Sequence, residues 1–486
     1  MEKTAGKVWG RRWPCHSSRS QWRSGRCLVC TNRVFQCHTD RTSQPGELTD
    51  EGRETTYNLG RRLRHLYVSQ LKFMPALIAD SDMIYLRATP LPRALESVQQ
   101  AFWGMYPLTA RTAAFPSPTI VTRTPADETL FPNDGNCRRF AELSRAFAQR
   151  TAERWNDTDD MKYLSNLMGK WMADKIVAVD SHPRLSGVMD TINSTLAHGP
   201  ATRLPKEFYD AKGRAIIDRI GVEEWFSGYN ENREYRTLGI GGLMGDVVER
   251  ISSVVEGGGL SINEIGGENG VLGKGRGGEK SIRFALSGCH DTTLAGVLSS
   301  LGAFRDEKWP PYTSHIAFEL FRKTDEEPIP PKDPEAPSAP TSGTEKQASA
   351  SRPGWLASML GLRSGSENTS TPEISRDKTV LNPGASSEGI ARRAYVSLSN
   401  NEKKKLDGYY VRLRYNDKIM YVPACRKEGM HLDGDESFCT LEAFKRVVDG
   451  YTPKSWKREC GMNLGKDVLG LASGTESWAG EIEEGY

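Results

Sequence analysis

Two stretches of this 486-residue sequence put chemistry-bearing side chains where a strand pattern gives way to a helix pattern. The first, Phe284-Ala-Leu-Ser-Gly-Cys-His290-Asp291 and on to Leu301, carries Leu294, Val297, Leu298 and Leu301 on one helical face. That pattern places His290 and Asp291 at the N-terminus of the helix and at the carboxyl end of the strand. Free N–H groups and the positive helix dipole meet an anion there, and open α/β sheets bind ligands at that end, so a phosphate suits the place. A His-Asp pair serves equally well as a plain helix cap. The second stretch, Ile84-Tyr-Leu-Arg87-Ala-Thr-Pro-Leu-Pro-Arg93-Ala-Leu, repeats the pattern with arginines flanking the turn. A guanidinium fork matches phosphate oxygens, although a strand-end arginine by itself is most often a solvated surface group. Both stretches combine a strand end, an anion-friendly group and a helix start.

The elements around them alternate. Residues 46 to 322 read as strands and helices joined by short turns, which argues for an α/β layer architecture. Leu59, Leu63, Leu66 and Tyr67 form one helical stripe after a Thr49/Asp50 start, and Leu95, Val98, Phe102 and Met105 another after Pro92. Met83 to Leu86 is a short buried-type strand between them. From about 140 to 255 the composition favours helices (Met161 to Lys175, Phe208 to Ile220, Leu243 to Val255), which predicts a helical cap, and a glycine-rich loop follows from Gly257 to Glu279. Residues 326–391 read as a disordered insertion, with seven of the chain's 26 prolines between Pro328 and Pro353. Inside it Trp355, Leu356, Met359, Leu360 and Leu362 form an amphipathic turn or two, either a docking motif or a transient helix, with no partner identified. Tyr409 to Tyr415 and Lys418 to Val422 look like paired strands, so the insertion interrupts one domain.

Composition excludes several classes. Hydrophobic residues at 37% and charged residues at 26% rule out a collagen-like or wholly disordered chain, and a net charge of +3 rules out a nucleic-acid polycation. No nucleic-acid partner is expected. No stretch reaches the roughly 18 apolar residues of a membrane span, so no transmembrane segment is expected either. Basic charge is local: residues 1–39 hold eight Lys or Arg against Glu2 alone. The pair Cys27 and Cys30, with Cys15-His16 and Cys37-His38, has zinc-type donors but no second regular pair, and no metal is expected.

Together the two stretches resemble the histidine acid phosphatases, a branch of the phosphoglycerate-mutase-like superfamily. Pro45-Gly-Glu-Leu-Thr-Asp-Glu-Gly52 with the helix Leu59 to Tyr67 is similar to that family's G-Q-L-T-x-x-G segment. Asp127-Glu-Thr-Leu-Phe-Pro-Asn-Asp-Gly-Asn-Cys137, Trp309-Pro-Pro-Tyr312 to Phe321, and Tyr410 to Cys460 fit as well, over about 46–322 and 408–465. Trp309-Pro-Pro and Leu-Phe-Pro-Asn look closest to the lysophosphatidic acid phosphatase branch.

The resemblance implies a three-layer α/β sandwich with a mixed, mostly parallel sheet and a helical cap. It implies a metal-independent, cofactor-free hydrolase of small phosphate monoesters, lysophospholipids among them, working through a phosphohistidine. Arg93 matches the phosphate-binding arginine, His290 the histidine that hydrogen-bonds phosphate, and Asp291 the proton donor, while Arg87 supports the strand end. Cys137 would pair with Cys460 and Cys425 with Cys439, leaving Cys289 free.

The family's R-H-G-x-R-x-P motif is not found. The nearest string, Val34-Phe-Gln-Cys37-His38-Thr-Asp-Arg41-Thr-Ser43, keeps a histidine and an arginine three residues later, so His38 is the candidate nucleophile and Arg41 a candidate phosphate ligand. Only seven residues separate His38 from Gly46. Three readings stay open: a pseudophosphatase that binds phosphorylated ligands, an irregular 1–45 leader that resembles translated non-coding sequence, and a working His38. The Arg- and Ser-rich leader also suits a mitochondrial transit peptide. The cysteine framework and the sequons at Asn156, Asn193 and Asn368 suit a secretory setting. Residues 466–486 read as a tail.

Overall fold

The computed structural model describes residues 46–116, 118–172, 174–257, 282–304, 308–324, 389–468 and 478–482. Helix α1 (Asp50–Leu63) begins where the Thr49 hydroxyl accepts the Gly52 N–H at 3.1 Å. Its first turn holds Asp50 and Glu51 and its last Arg61 and Arg62, the charge order the helix dipole favours. Strand β1 (Ile84–Ala88) follows and then α2 (Pro92–Met105), opened by a proline whose missing N–H costs nothing in a first turn. Helices α1 and α2 touch backbone to backbone: a Cβ on Gly60 would lie 2.0 Å from the Ala101 carbonyl oxygen. After β2 (Ile120–Val121) the chain is helical through α3 (Arg138–Trp155), α4 (Asp159–Met168), α5 (Leu185–His198), α6 (Ala211–Glu231), α7 (Arg233–Arg236) and α8 (Gly242–Val255). Then come β3 (Phe284–Gly288), α9 (Asp291–Ser300) and β4 (Ile316–Arg322). Beyond residue 389 lie α10 (Asn400–Lys403), β5 (Tyr409–Tyr415), β6 (Lys418–Met420), β7 (His431–Leu432), β8 (Asp435–Thr440) and α11 (Leu441–Asp449).

The strands form two sheets. In the first, β1 is central, parallel to β2 on one side and to β3 on the other, in the order β2-β1-β3. In the second, β4-β5-β8-β7 run antiparallel, with β6 paired to β5. The fold is therefore mixed α/β as expected, but the parallel part among the described strands is confined to β1, β2 and β3. Hairpins such as the two-residue turn Asn416-Asp417, both at positive φ, join neighbours directly and so impose the antiparallel sense. Strand β4 pairs with β5 along its whole length, Ile316 opposite Tyr415 to Arg322 opposite Tyr409. The two sides of residues 325–388 thus belong to one sheet; that segment, expected to be disordered, lies outside the described residues, as does the leader 1–45.

Helices cover the sheets. Leu86, Val98 and Phe102 are at most 2% exposed, and burying each side chain contributes about 1.5–3 kcal/mol. The cap is narrower than the expected 140–255. Its separate core runs from Ala152 to Ile220, whereas Phe140, Phe147, Met244 and Val248 belong to the main core. The chain also returns earlier than Tyr409, because the Glu256 carboxylate at the end of α8 accepts the Ile390 and Ala391 N–H groups at 3.0 and 3.3 Å. Part of the expected tail is docked: Ala479 is buried and the Gly480 carbonyl accepts the Ala424 N–H at 2.9 Å. Disulfides join Cys137 to Cys460, across 323 residues, and Cys425 to Cys439.

Candidate active site

Strands β1 and β3 align Arg87 with Ser287 and Ala88 with Gly288, so both carboxyl ends finish side by side. The residues that follow meet there: Thr89 Oγ1 lies 3.0 Å from His290 Nε2, and the Thr89 N–H donates to the Gly288 carbonyl at 3.2 Å. Gly288 is required by this closeness, since a Cβ would fall 2.6 Å from both the Ala94 carbonyl oxygen and Val98 Cγ2 of α2. His290 caps α9, its N–H donating to Thr293 Oγ1 at 3.3 Å, and Thr293 Oγ1 in turn donates to the Leu130 carbonyl at 2.6 Å. Asp291 is the first residue of α9. Its Oδ1 accepts the Thr292 N–H and its Oδ2 the Trp309 indole N–H, each at 2.8 Å.

A cavity of about 2840 Å³ opens at these strand ends, with Arg93, His290 and Asp291 all in its wall. Arg93 comes from the first turn of α2, and Gly46, where the described chain begins, lies beside it: a Cβ there would be 3.8 Å from Arg93 Nη1. The cap contributes Asp190 from α5, which interacts with Asp291, Arg93 and Tyr312. Burial first, then the Asp291 charge, hold the Asp190 carboxyl above the usual carboxylate range, against the opposing pull of Arg93 and a Tyr312 hydrogen bond. Burial, with Asp190 and Asp291 nearby, pushes the Tyr312 hydroxyl up to about 12. Cys289 is also pushed up to about 12, mainly by burial, which favours the neutral thiol.

The structure thus brings Arg93, His290 and Asp291 into one cavity. It places Arg87 elsewhere, buried in an ion-pair cluster with Glu128 at 2.6 Å and Asp246 at 3.5 Å and outside the cavity wall. His38 and Arg41 lie outside the described residues. Sequence reasoning missed Thr89, Asp190, Trp309 and Tyr312 as site residues. Trp309-Pro-Pro-Tyr312 stood out as a string without a role, and nothing local singles out Asp190 in the middle of a helix. Among the described residues no cluster of His, Cys, Asp and Glu is arranged to hold a metal ion.

Burial first, then the Arg93 charge, keep His290 below the usual imidazole value of about 6.5, while Asp291 and Glu128 pull the other way. His290 is expected to protonate below pH 6.5 in an NMR titration of the ligand-free protein. Saturating inorganic phosphate should move that titration upward, because a bound anion offsets Arg93 and favours imidazolium. A ring titrating at or above the usual value without phosphate contradicts this electrostatic account.

The family model for the histidine phosphatase superfamily (branch 2) matches residues 31–331. A probable acid phosphatase of Schizosaccharomyces pombe is 34% identical over 416 residues, which cover 85% of this chain and 76% of the relative. Human lysophosphatidic acid phosphatase type 6 is 24% identical over 279 residues, 57% of each chain, so this chain spans little more than half of that relative. The apo form of Hafnia alvei phytase superposes with a TM-score of 0.48 at 11% identity, over 87% of this chain and 90% of the other. On the family match over more than half its residues and on the S. pombe relative, the chain belongs to branch 2 of the histidine phosphatase superfamily, whose acid-phosphatase members hydrolyse phosphate monoesters.

Proposed function

We propose that this protein hydrolyses small phosphate monoesters without a metal ion, by way of a phosphohistidine on His38. The observation that carries the proposal is the convergence of Arg93, His290 and Asp291 at the carboxyl ends of two parallel strands, in one cavity. Arg93 offers a fork to the phosphoryl oxygens, and the N-terminal N–H groups of α9, a ten-residue helix, add their positive dipole. His290 donates a ring hydrogen bond to the same oxygens. Charge that builds on them in the transition state is thereby met by fixed protein groups. The His38 ring attacks phosphorus, the ester P–O bond breaks, and the Asp291 carboxyl gives its proton to the departing alkoxide. Water then attacks the phosphohistidine, giving its proton to the Asp291 carboxylate, and inorganic phosphate leaves with the His38 ring restored.

The alcohol half of the substrate faces aromatic surface. Trp309, which donates to Asp291, packs edge-to-face on Trp225 with ring centroids 6.0 Å apart, and both line the cavity. An apolar wall beside the phosphate position favours an ester with an acyl chain, and the similarity to lysophosphatidic acid phosphatase points the same way, so lysophospholipids are the substrate class proposed. The test is hydrolysis of a lysophosphatidate and of glycerol phosphate at acid pH with a chelator present. Activity is expected to persist with chelator and to vanish in His38→Ala. Loss of activity to the chelator would sink the metal-free mechanism, full activity of His38→Ala would reject His38, and a folded inactive protein would favour the binding-only reading.

A further inference from the structure

We propose that the face at the carboxyl ends of α1 and α2, where Leu71, Phe73, Leu77 and Leu108 stand out among Arg64, Lys72, Arg111 and Arg283, docks on an anionic lipid bilayer. The four apolar side chains are 49, 40, 54 and 71% exposed. Single exposed leucines are ordinary on a protein surface, but these four residues belong to one structure. Leu71, Phe73 and Leu77 follow the helical turns Arg64–Gln70 at the end of α1, and Leu108 follows α2. The two connections are tied together: Ile78 pairs with Arg111, its N–H donating to the Ala110 carbonyl and its carbonyl accepting the Thr112 N–H, each at 3.0 Å. Leu71 and Phe73 also belong to the cavity wall, whereas Leu77 and Leu108 do not, so the face extends beyond the cavity.

The exposure is built in. Met74 and Ile78 are buried and anchor residues 71–78 in the core, which leaves their neighbours Phe73 and Leu77 facing out. The Arg64 guanidinium donates to the Met105 and Ala76 carbonyls, both at 2.9 Å, and the Tyr106 hydroxyl donates to the Pro75 carbonyl at 2.9 Å. These bonds clamp the segment between the ends of α1 and α2. Lys72 sits at a φ of 53°, a left-handed conformation that a lysine adopts at a cost. Holding apolar side chains in water on a firmly fixed segment forgoes the free energy of burying them unless something covers the face.

Charge selects what covers it. The Arg283 guanidinium lies over the Phe73 ring, 5.4 Å from its centroid, Arg111 pairs with Ile78, and Lys72 separates Leu71 from Phe73. No Asp or Glu occurs from Arg61 to Ala79 or from Ser97 to Ala126, although the whole chain carries 62 acids against 65 bases. Apolar side chains interleaved with cations suit the boundary where lipid headgroups meet acyl chains: the cations hold headgroup phosphates, and the leucines and Phe73 enter between them. A second copy of this chain fits worse, because a two-fold contact would set these cations against their own copies. Arg93 stands in the first turn of α2 at the phosphate site, and the face lies at the other end of that helix, about 21 Å away by the rise of its 14 residues. A docked protein therefore keeps Arg93, His290 and Asp291 away from the bilayer, and the inference does not rest on the proposed function.

The test is flotation of the full chain with phosphatidylcholine vesicles, with and without phosphatidylserine. Binding is expected to be at least about tenfold tighter to the anionic vesicles and to weaken as salt rises. Leu77→Glu combined with Leu108→Glu should weaken it by about tenfold or more, while turnover of p-nitrophenyl phosphate stays unchanged because both side chains are exposed and outside the cavity wall. Should that variant not fold, a fluorescent amino acid in place of Leu108 provides the second measurement, its emission expected to shift to the blue on anionic vesicles alone. Equal binding to neutral vesicles overturns the proposal, as does binding that survives both substitutions or emission that stays unshifted on bound vesicles. So does a protein that ignores vesicles, whether it is a dimer that the two substitutions split, which would make a second copy the occupant, or a monomer, in which the chain itself would cover the face. A protein that binds anionic vesicles but turns over no phosphate ester would leave this inference standing and sink the proposed function, and an active protein that ignores vesicles would do the reverse.

Discussion

Asp291→Asn is expected to slow hydrolysis of an alkyl phosphate by about 10²- to 10⁴-fold while changing turnover of p-nitrophenyl phosphate by less than about tenfold. An alkoxide leaves poorly unless a proton arrives as the ester bond breaks; nitrophenolate leaves without one. Asparagine keeps the shape and one acceptor oxygen of the aspartate, so the hydrogen bonds from the Thr292 N–H and the Trp309 indole lose only part of their support. What it cannot do is release a proton. Asp190 supplies the comparison. It faces the same space from α5, and burial holds it above the usual carboxylate range, so on proton affinity alone it competes for the role. Its place is on the cap, however, while Asp291 starts α9 at the strand ends where phosphate is expected. Asp190→Asn should therefore depress both substrates alike, mainly through KM, by altering the field around Arg93 and Asp291. A leaving-group-dependent loss in Asp190→Asn together with a uniform loss in Asp291→Asn would transfer the acid role to Asp190.

The contrast between these two aspartates shows what the sequence made legible. Asp291 stands in a strand-turn-helix string, and a string of that kind fixes geometry locally, within about ten residues of chain. Arg93 and His290 were legible for the same reason. Thr89 meets His290 across 201 positions, and Asp190 reaches the site only through the packing of the cap; periodicity is silent on both. Of the second sheet, β5 and β6 were legible as paired strands, whereas β7 and β8 are placed only by pairing, β8 on β5 and β7 on β8. Residues 389–406 carry a charged run, Glu402 to Lys405, and no apolar periodicity that would dock them. Contacts distant in sequence dock them: the Glu256 carboxylate holds Ile390, and Asp449 accepts the Tyr395 N–H at 2.8 Å. His38 and Arg41 were reachable only through family resemblance.

Arg87 supplies the other large effect, and on stability. Arg87 and Arg93 flank the same strand-to-helix turn, and Arg87 has the supporting role: it is 1% exposed and its Nη2 donates to Glu128 at 2.6 Å, with the Glu128 side chain fully buried. Arg87→Ala leaves that carboxylate with only the Thr129 and Leu130 N–H groups, at 2.8 and 2.7 Å. Asp246 keeps Arg123 at 2.8 Å, so the loss falls on Glu128. Breaking one side of a buried pair costs about 3–5 kcal/mol, to be read from urea unfolding. Adding Glu128→Gln should recover a good part of it, since the second substitution removes the stranded charge while an amide oxygen still accepts the two N–H groups. Catalysis is coupled to this pair at one remove. Glu128 fixes Leu130, the Leu130 carbonyl holds Thr293, and Thr293 accepts the His290 N–H, so loosening the first link lets the start of α9 drift. A folded Arg87→Ala protein should show a modest fall in kcat with KM for phosphate esters little changed, whereas Arg93→Ala should raise KM steeply and leave stability near wild type. The opposite pairing, in which Arg87→Ala is fully stable but no longer binds phosphate, would mean that Arg87 belongs to the phosphate site after all.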